Sequence, residues 1–248
     1  MKLNRLWAIY LTSSILAGCS VSQDKTRQVV AGQTRLQLGL EYLLQGDFNA
    51  ARQNIAKVLH ADPQNYQAQL AMALYEQRVG ENRAAELRYQ KAMKLAPAKG
   101  VVLNNYGAFL CGLGQYVSAQ QKFSASAAFP DEGQVANSLE NSGYCFLQAN
   151  QNAQARMRLS RALQYDPGKG KQLLVEAERH LALRNSAKVQ LLLEVYQNIL
   201  PANAESLWLQ IRFAALAGRQ DSVRRYGQQL ARNFPQSKQY QHFLAHEY

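Results

Sequence analysis

Strand signals, metal-ligand clusters and phosphate-binding loops are all missing from this 248-residue chain, and each gap closes a class of function. Charged residues make up only 18% against 47% apolar, which excludes a disordered polyelectrolyte. Three cysteines are too few for a disulfide scaffold or a four-thiolate zinc site, and four histidines leave little for any other metal. His242 and His246 share a helix face but lack a third ligand nearby, so a solvated helix end is expected; His60 and His180 are isolated, and surface or groove positions suffice for both. The 28 Lys and Arg outnumber the 17 Asp and Glu. They stand singly among Gln, Ala and Leu without a block of five or six, so no nucleic-acid partner is expected, although the surplus favours anionic surfaces in general. No Walker-type loop, dinucleotide fingerprint, zinc helix or nucleophile elbow occurs. No catalytic residue, cofactor or small-molecule substrate is therefore expected. The stretch Gly168-Lys169-Gly170-Lys171 is taken as a turn with solubilising lysines rather than an anion loop. Sustained apolar/polar alternation with Asn-Gly or Asp-Gly turns is also absent, so the fold class is all-α.

What is present begins with an address. Lys2 and Arg5 precede an apolar stretch from Leu6 to Leu16, interrupted by Thr12, Ser13 and Ser14, and then Leu16-Ala17-Gly18-Cys19. The apolar run is about half of the roughly 20 residues a membrane-spanning helix needs, so a signal peptide fits better. The residues before Cys19 resemble a bacterial lipobox, which implies cleavage after residue 18 and a lipid anchor on Cys19. Two or more acyl chains anchor stably without spanning the bilayer. Ser20 after the cysteine, in place of Asp, resembles lipoproteins delivered to the outer membrane, facing the periplasm. Residues 19–31 have little apolar periodicity and are expected to form a lipidated tether.

The rest carries a period. Prolines stand at 63 and 97, 34 apart, and at 167, 201 and 235, again 34 apart. The gap between the two groups is two periods plus a two-residue insertion near Phe129 to Gly133. Ala51, Ala85, Ala119 and Ala155 repeat at nearly the same interval, as do Gly39, Ala73, Gly107 and Gly143. Small residues belong where one helix backbone approaches another, and proline where a helix must stop. Gly39, Tyr42, Ala51 and Pro63 fill positions 8, 11, 20 and 32 of a pattern that resembles the tetratricopeptide repeat. The expected architecture is a tetratricopeptide-repeat superhelical solenoid of about six helix pairs over 32–248. Four good repeats cover 32–65, 66–99, 100–135 and 136–169, two degenerate ones cover 170–203 and 204–237, and 238–248 supplies a capping helix.

Cys111 and Cys145 fall near the same height on the A helices of adjacent repeats, within reach of a disulfide in an oxidising periplasm. Two thiols buried as small apolar groups are the alternative. Repeat positions 2, 5, 9 and 12 project inward, where such stacks receive peptides. The first two repeats place Leu36, Leu40, Leu43, Leu70 and Leu74 there, an apolar partner-binding groove, although leucines at these places also serve as core. Inward positions later become polar, with Asn104, Asn137 and Glu140 available to a peptide backbone, or the asparagines to helix caps.

The string Asn104-Asn105-Tyr106-Gly107 followed by AFLC, with Asn141, Gly143 and Cys145 one repeat later, resembles the PilF/PilW family of type IV pilus biogenesis and stability lipoproteins. So does the tail IRFAALAGRQDSVRRYGQQLARNFPQSKQYQHF. The resemblance runs from the lipobox through repeat six. It implies a non-enzymatic pilotin: a membrane-anchored lipoprotein that binds the type IV pilus secretin and aids its outer-membrane localisation and multimerisation. The alternative is a repeat adaptor lipoprotein serving peptidoglycan enzymes or barrel assembly.

Overall fold

A computed structural model describes the backbone from residue 18 to 248, and side chains from residue 27 onward except that of Glu132. The signal peptide expected over 1–18 and the side chain of Cys19 lie outside the described residues. Among the described residues there are thirteen α-helices, one 3₁₀ turn and no strand, the all-α repeat fold that the periodicity predicts. No helix among them is long and apolar enough to cross a membrane.

The chain divides into two compact units, the first ending at Pro97 and the second running from Ala98 to Tyr248. The sequence frame alone runs through this point as one domain, 32–248. The first unit contains α1 (Gly18–Gln45), α2 (Phe48–Ala61), α3 (Tyr66–Arg78) and α4 (Asn82–Leu95), two antiparallel pairs. Helix α1 begins at Gly18, so the expected tether 19–31 is helical instead of irregular. The segment contains neither proline nor glycine and is made mostly of residues a helix tolerates, so nothing stops the helix from extending backward. Val29 and Val30 are exposed, and the first buried large side chain among the described residues is Leu36. From there Leu36, Ile55, Val58, Ala68, Ala71 and Met72 form one core.

The second unit contains α5 (Gly100–Gly112), α6 (Tyr116–Ser126), α7 (Glu132–Gln148), α8 (Asn152–Tyr165), α9 (Gly170–Ala182), α10 (Ser186–Ile199), α11 (Ala204–Leu216), α12 (Gln220–Asn233) and α13 (Lys238–Leu244). The periodic small residues sit where a side chain would collide. A Cβ on Gly107 would lie 2.8 Å from the Phe123 ring, and one on Gly143 2.6 Å from Leu159. Ala51, Ala85, Ala119 and Ala155 on the B helices are fully buried. The two-residue insertion lengthens a helix: α7 has 17 residues, starting four before its repeat frame, where α3, α5, α9 and α11 have 13. Asp131 caps this early start by accepting from the Gln134 N–H at 2.8 Å. At the end of the unit α13 packs on α11 and α12, with the Phe243 ring pressed onto Gly227.

The A-to-B turns carry a second period that the proline count does not reveal. Gly46, Gly80, Gly114, Asn150, Arg184 and Gly218 all have positive φ, between 56° and 85°. Each closes helix A in the left-handed conformation that lets the chain reverse into helix B.

Candidate functional site

In the first unit α1 and α3 present an open, mainly apolar cleft of about 500 Å³ lined by Leu40, Leu43, Leu44 and Leu74, with Gln37, Gln77 and Arg78 as its polar members. Three of the five leucines expected to form a groove are here. The other two are not among the lining residues: Leu36 is 9% exposed within the core shared by α1, α2 and α3, and Leu70 is 9% exposed. Leu40 does both jobs, half-buried against that core and facing the cleft. Leu44 was not singled out by the repeat positions, yet it is 78% exposed at the cleft. An apolar side chain in that setting has surface left to bury, worth roughly 1.5–3 kcal/mol when fully covered.

Between α3 and α4 lies a polar cluster. Glu76 occupies position 11 of the second repeat, where the pattern favours an aromatic, and is 7% exposed. Arg88 reaches it at 3.3 Å and also donates to Gln69 Oε1 at 3.0 Å, while Gln69 donates to the Pro63 carbonyl. Burial raises the Glu76 carboxyl above its ordinary range, against the pull of Arg88. Tyr89, fully buried and pushed up by desolvation, donates to Gln77 Oε1 at 2.7 Å. That bond fixes one of the cleft's polar side chains.

In the second unit the inward positions of α5 and α7 are bound to one another. Asn104 Oδ1 accepts from Asn141 Nδ2 at 3.1 Å, and Lys169 Nζ bridges Glu140 Oε2 at 2.9 Å and Asn137 Oδ1. These asparagines are not caps: Asp131 caps α7, and Asn105 donates back to the Val101 carbonyl within α5. Lys169 corrects the expectation of a solubilising lysine, because the 3₁₀ turn Pro167–Lys169 folds its ammonium onto a buried carboxylate. Glu140 Oε1 and the Tyr144 hydroxyl are buried beside each other, and burial, with the Glu140 and Glu176 charges and the Glu140 contact, drives the Tyr144 phenol up. Tyr106 packs in the core, and Lys122 stands 5.5 Å over its ring.

Cys111 on α5 and Cys145 on α7 are joined as a disulfide, with Cα atoms 5.8 Å apart and a sequence separation of 34. His180 is 6% exposed and not on the surface or in a groove, because position 11 of the fifth repeat is buried in the helix packing. Desolvation, helped by Arg179, holds its imidazole below the usual range. His60 is exposed. His242 stacks on Trp208 and pairs with Glu247, and no cluster of metal-ligating side chains exists among the described residues.

No protein-family model matches the chain. The fold nonetheless has many solved counterparts, including a tetratricopeptide repeat protein from Parabacteroides merdae with a TM-score of 0.53 over 92% of this chain and 88% of that one, at 12% identity. The chain is a tetratricopeptide-repeat protein. It is also 31% identical over 97% of its length to the type IV pilus assembly protein PilF of Pseudomonas aeruginosa, covering 96% of that protein. The solved structure of Pseudomonas aeruginosa PilF matches at a TM-score of 0.59, 30% identity, over 87% of this chain and 97% of that one. That of PilW, a type IV pilus biogenesis factor, matches at 0.60 and 26% identity over 86% and 98%. This chain belongs to the PilF family.

Proposed function

We propose that the protein is a non-enzymatic scaffold of type IV pilus biogenesis: an outer-membrane lipoprotein, anchored through Cys19 after removal of residues 1–18, that binds the pilus secretin subunit and promotes its localisation and multimerisation. What carries the pilus reading is the similarity to PilF over 97% of the chain. The secretin reading adds a physical requirement, an apolar surface able to hold a segment of another protein, and the Leu40, Leu43, Leu44 and Leu74 cleft in the first unit is such a surface.

The test is a strain lacking the protein. Its membranes are fractionated and blotted for the detergent-resistant secretin multimer. The multimer is expected to be lost from the outer membrane and restored by the wild type, but not by Cys19→Ala. Leu44→Arg and Leu74→Lys are expected to fail in the same assay while keeping helical content and melting temperature. A normal multimer in the deletion strain would refute the secretin role and leave pilus stabilisation, or service to peptidoglycan or barrel-assembly machinery, to be separated by capture of bound proteins. Unfolding of Leu74→Lys would instead assign Leu74 to the core.

A further inference from the structure

A polar pocket of about 210 Å³ lies in the second unit among α10, α11 and α12, remote in sequence from the residues considered so far. Its wall holds Gln210, which is 7% exposed and engages in no hydrogen bond among the described residues. Its amide keeps both a donor and an acceptor available to an occupant of the pocket. Two guanidinium groups flank it. Arg219 lies 4.7 Å from the Phe213 ring centre and Arg225 4.9 Å from that of Tyr226. Stacking holds a guanidinium flat and leaves its N–H edge free. Neither arginine has an acidic partner among the described residues; Arg225 donates only to the Tyr226 hydroxyl. Ser222 and Gln197 complete the polar rim.

We propose that this pocket binds a carboxylate from an acidic segment of a protein partner, held by the edges of Arg219 and Arg225 and by the Gln210 amide. Charge decides against a phosphate. Glu194 also lines the pocket, with its two oxygens already engaged by Arg156 at 2.6 Å and Gln190 at 2.8 Å. A fixed carboxylate in the wall repels a dianion about twice as strongly as a monoanion. A single side-chain carboxylate also matches the fork of an arginine edge. The site lies in the second unit, and its occupancy does not depend on the secretin reading.

The test uses the full-length protein in uncharged detergent micelles and a fluorescein-labelled hexaglutamate peptide, with binding followed by anisotropy. Saturable, salt-sensitive binding is expected. Arg219→Ala and Arg225→Ala should each weaken it about tenfold. Gln210→Leu should weaken it comparably while removing no charge and keeping the melting temperature. Arg232→Ala removes the same charge from elsewhere on α12 and should leave the affinity unchanged. Absence of binding, or equal weakening by Arg232→Ala, would overturn the proposal by reducing the effect to the chain's net charge. Inorganic phosphate binding more tightly than hexaglutamate, or phosphatidylglycerol vesicles retained through Gln210 and both arginines, would overturn it in favour of a phosphate ligand.

Discussion

Positions 5 and 9 of helix A are Leu36, Leu40, Leu70 and Leu74 in the first unit, and Asn104, Ala108, Glu140 and Tyr144 in the first two repeats of the second. The frame around them is the same, with Gly39, Ala73, Gly107 and Gly143 on the close-approach face of each A helix. The consequence differs because apolar and polar groups are satisfied differently. Leucines need only cover, which any apolar segment supplies without direction. A buried carboxylate or amide needs a partner at a set distance, and in the second unit the chain provides its own: Asn141 for Asn104, Lys169 for Glu140. The first unit therefore keeps an open apolar cleft, while the facing positions of the second are held by bonds within the unit. A repeat frame places helices; the residues between its fixed points decide whether a face stays open to a partner.

The comparison breaks most visibly at the disulfide. Only the second unit carries a covalent tie between A helices among the described residues. Closing a loop of 34 residues stabilises by roughly 3–4 kcal/mol in the chain-entropy treatment. Cys111→Ser with Cys145→Ser, or reduction, should lower stability by that amount. Peptide-level hydrogen exchange checks where: protection should fall most in α5 to α8 and least in α1 to α4. An equal fall in both units would mean that they unfold as one. Two thiols reacting in the denatured, unreduced protein would show that the pair is not oxidised at all.

A smaller effect is expected at Lys169. Lys169→Met leaves the Glu140 carboxylate buried without its cation, and should cost about 3 kcal/mol or somewhat less, since Lys169 is partly exposed. Adding Glu140→Gln removes the stranded charge and should recover most of the loss. That recovery in a double-mutant cycle by urea denaturation would establish that the polar face is satisfied internally. Strict additivity would mean that the bridge contributes nothing, and the inward face of the second unit would then be as open to a partner as that of the first.

How much of this was legible in the sequence follows from which interactions are periodic. The helix pairs, their order and the small residues at the crossings were readable because Gly39, Ala51 and Pro63 recur at fixed intervals, and helix packing is local enough for an interval to predict it. The cleft was readable in part. Leu40, Leu43 and Leu74 lie where the repeat positions put them, but Leu36 turns to the core and Leu44 to the cleft, because a helix edge position is decided by what packs beside it. Lys169 and the Gln210 pocket were not readable. Each depends on side chains brought together from several helices, and nothing in the sequence near Gly168-Lys169-Gly170 shows a carboxylate 29 residues earlier turning toward the turn. The series of left-handed turns was not read from the sequence, because Asn150 and Arg184 interrupt the glycine series Gly46, Gly80, Gly114 and Gly218.

Those two turns set the finest distinction between the units. Both A-to-B turns of the first unit close on glycine, Gly46 and Gly80, whereas in the second unit the corresponding residue is glycine at 114 and 218 but Asn150 at φ 59° and Arg184 at φ 56°. A left-handed conformation costs an ordinary L-residue roughly 1–2 kcal/mol, while asparagine is partly excused by its short polar side chain. Arg184 has no such relief. Arg184→Gly should therefore stabilise the protein by about 1 kcal/mol, offset in part by the greater freedom of glycine in the unfolded chain. Asn150→Gly should gain less. Both effects are read as shifts in the urea midpoint at unchanged slope. Loss of stability in Arg184→Gly would mean that the arginine side chain contributes more than its backbone strain removes. The 70 Å³ cavity that it lines with Leu181 and Phe213 would then be the place to look for that contribution.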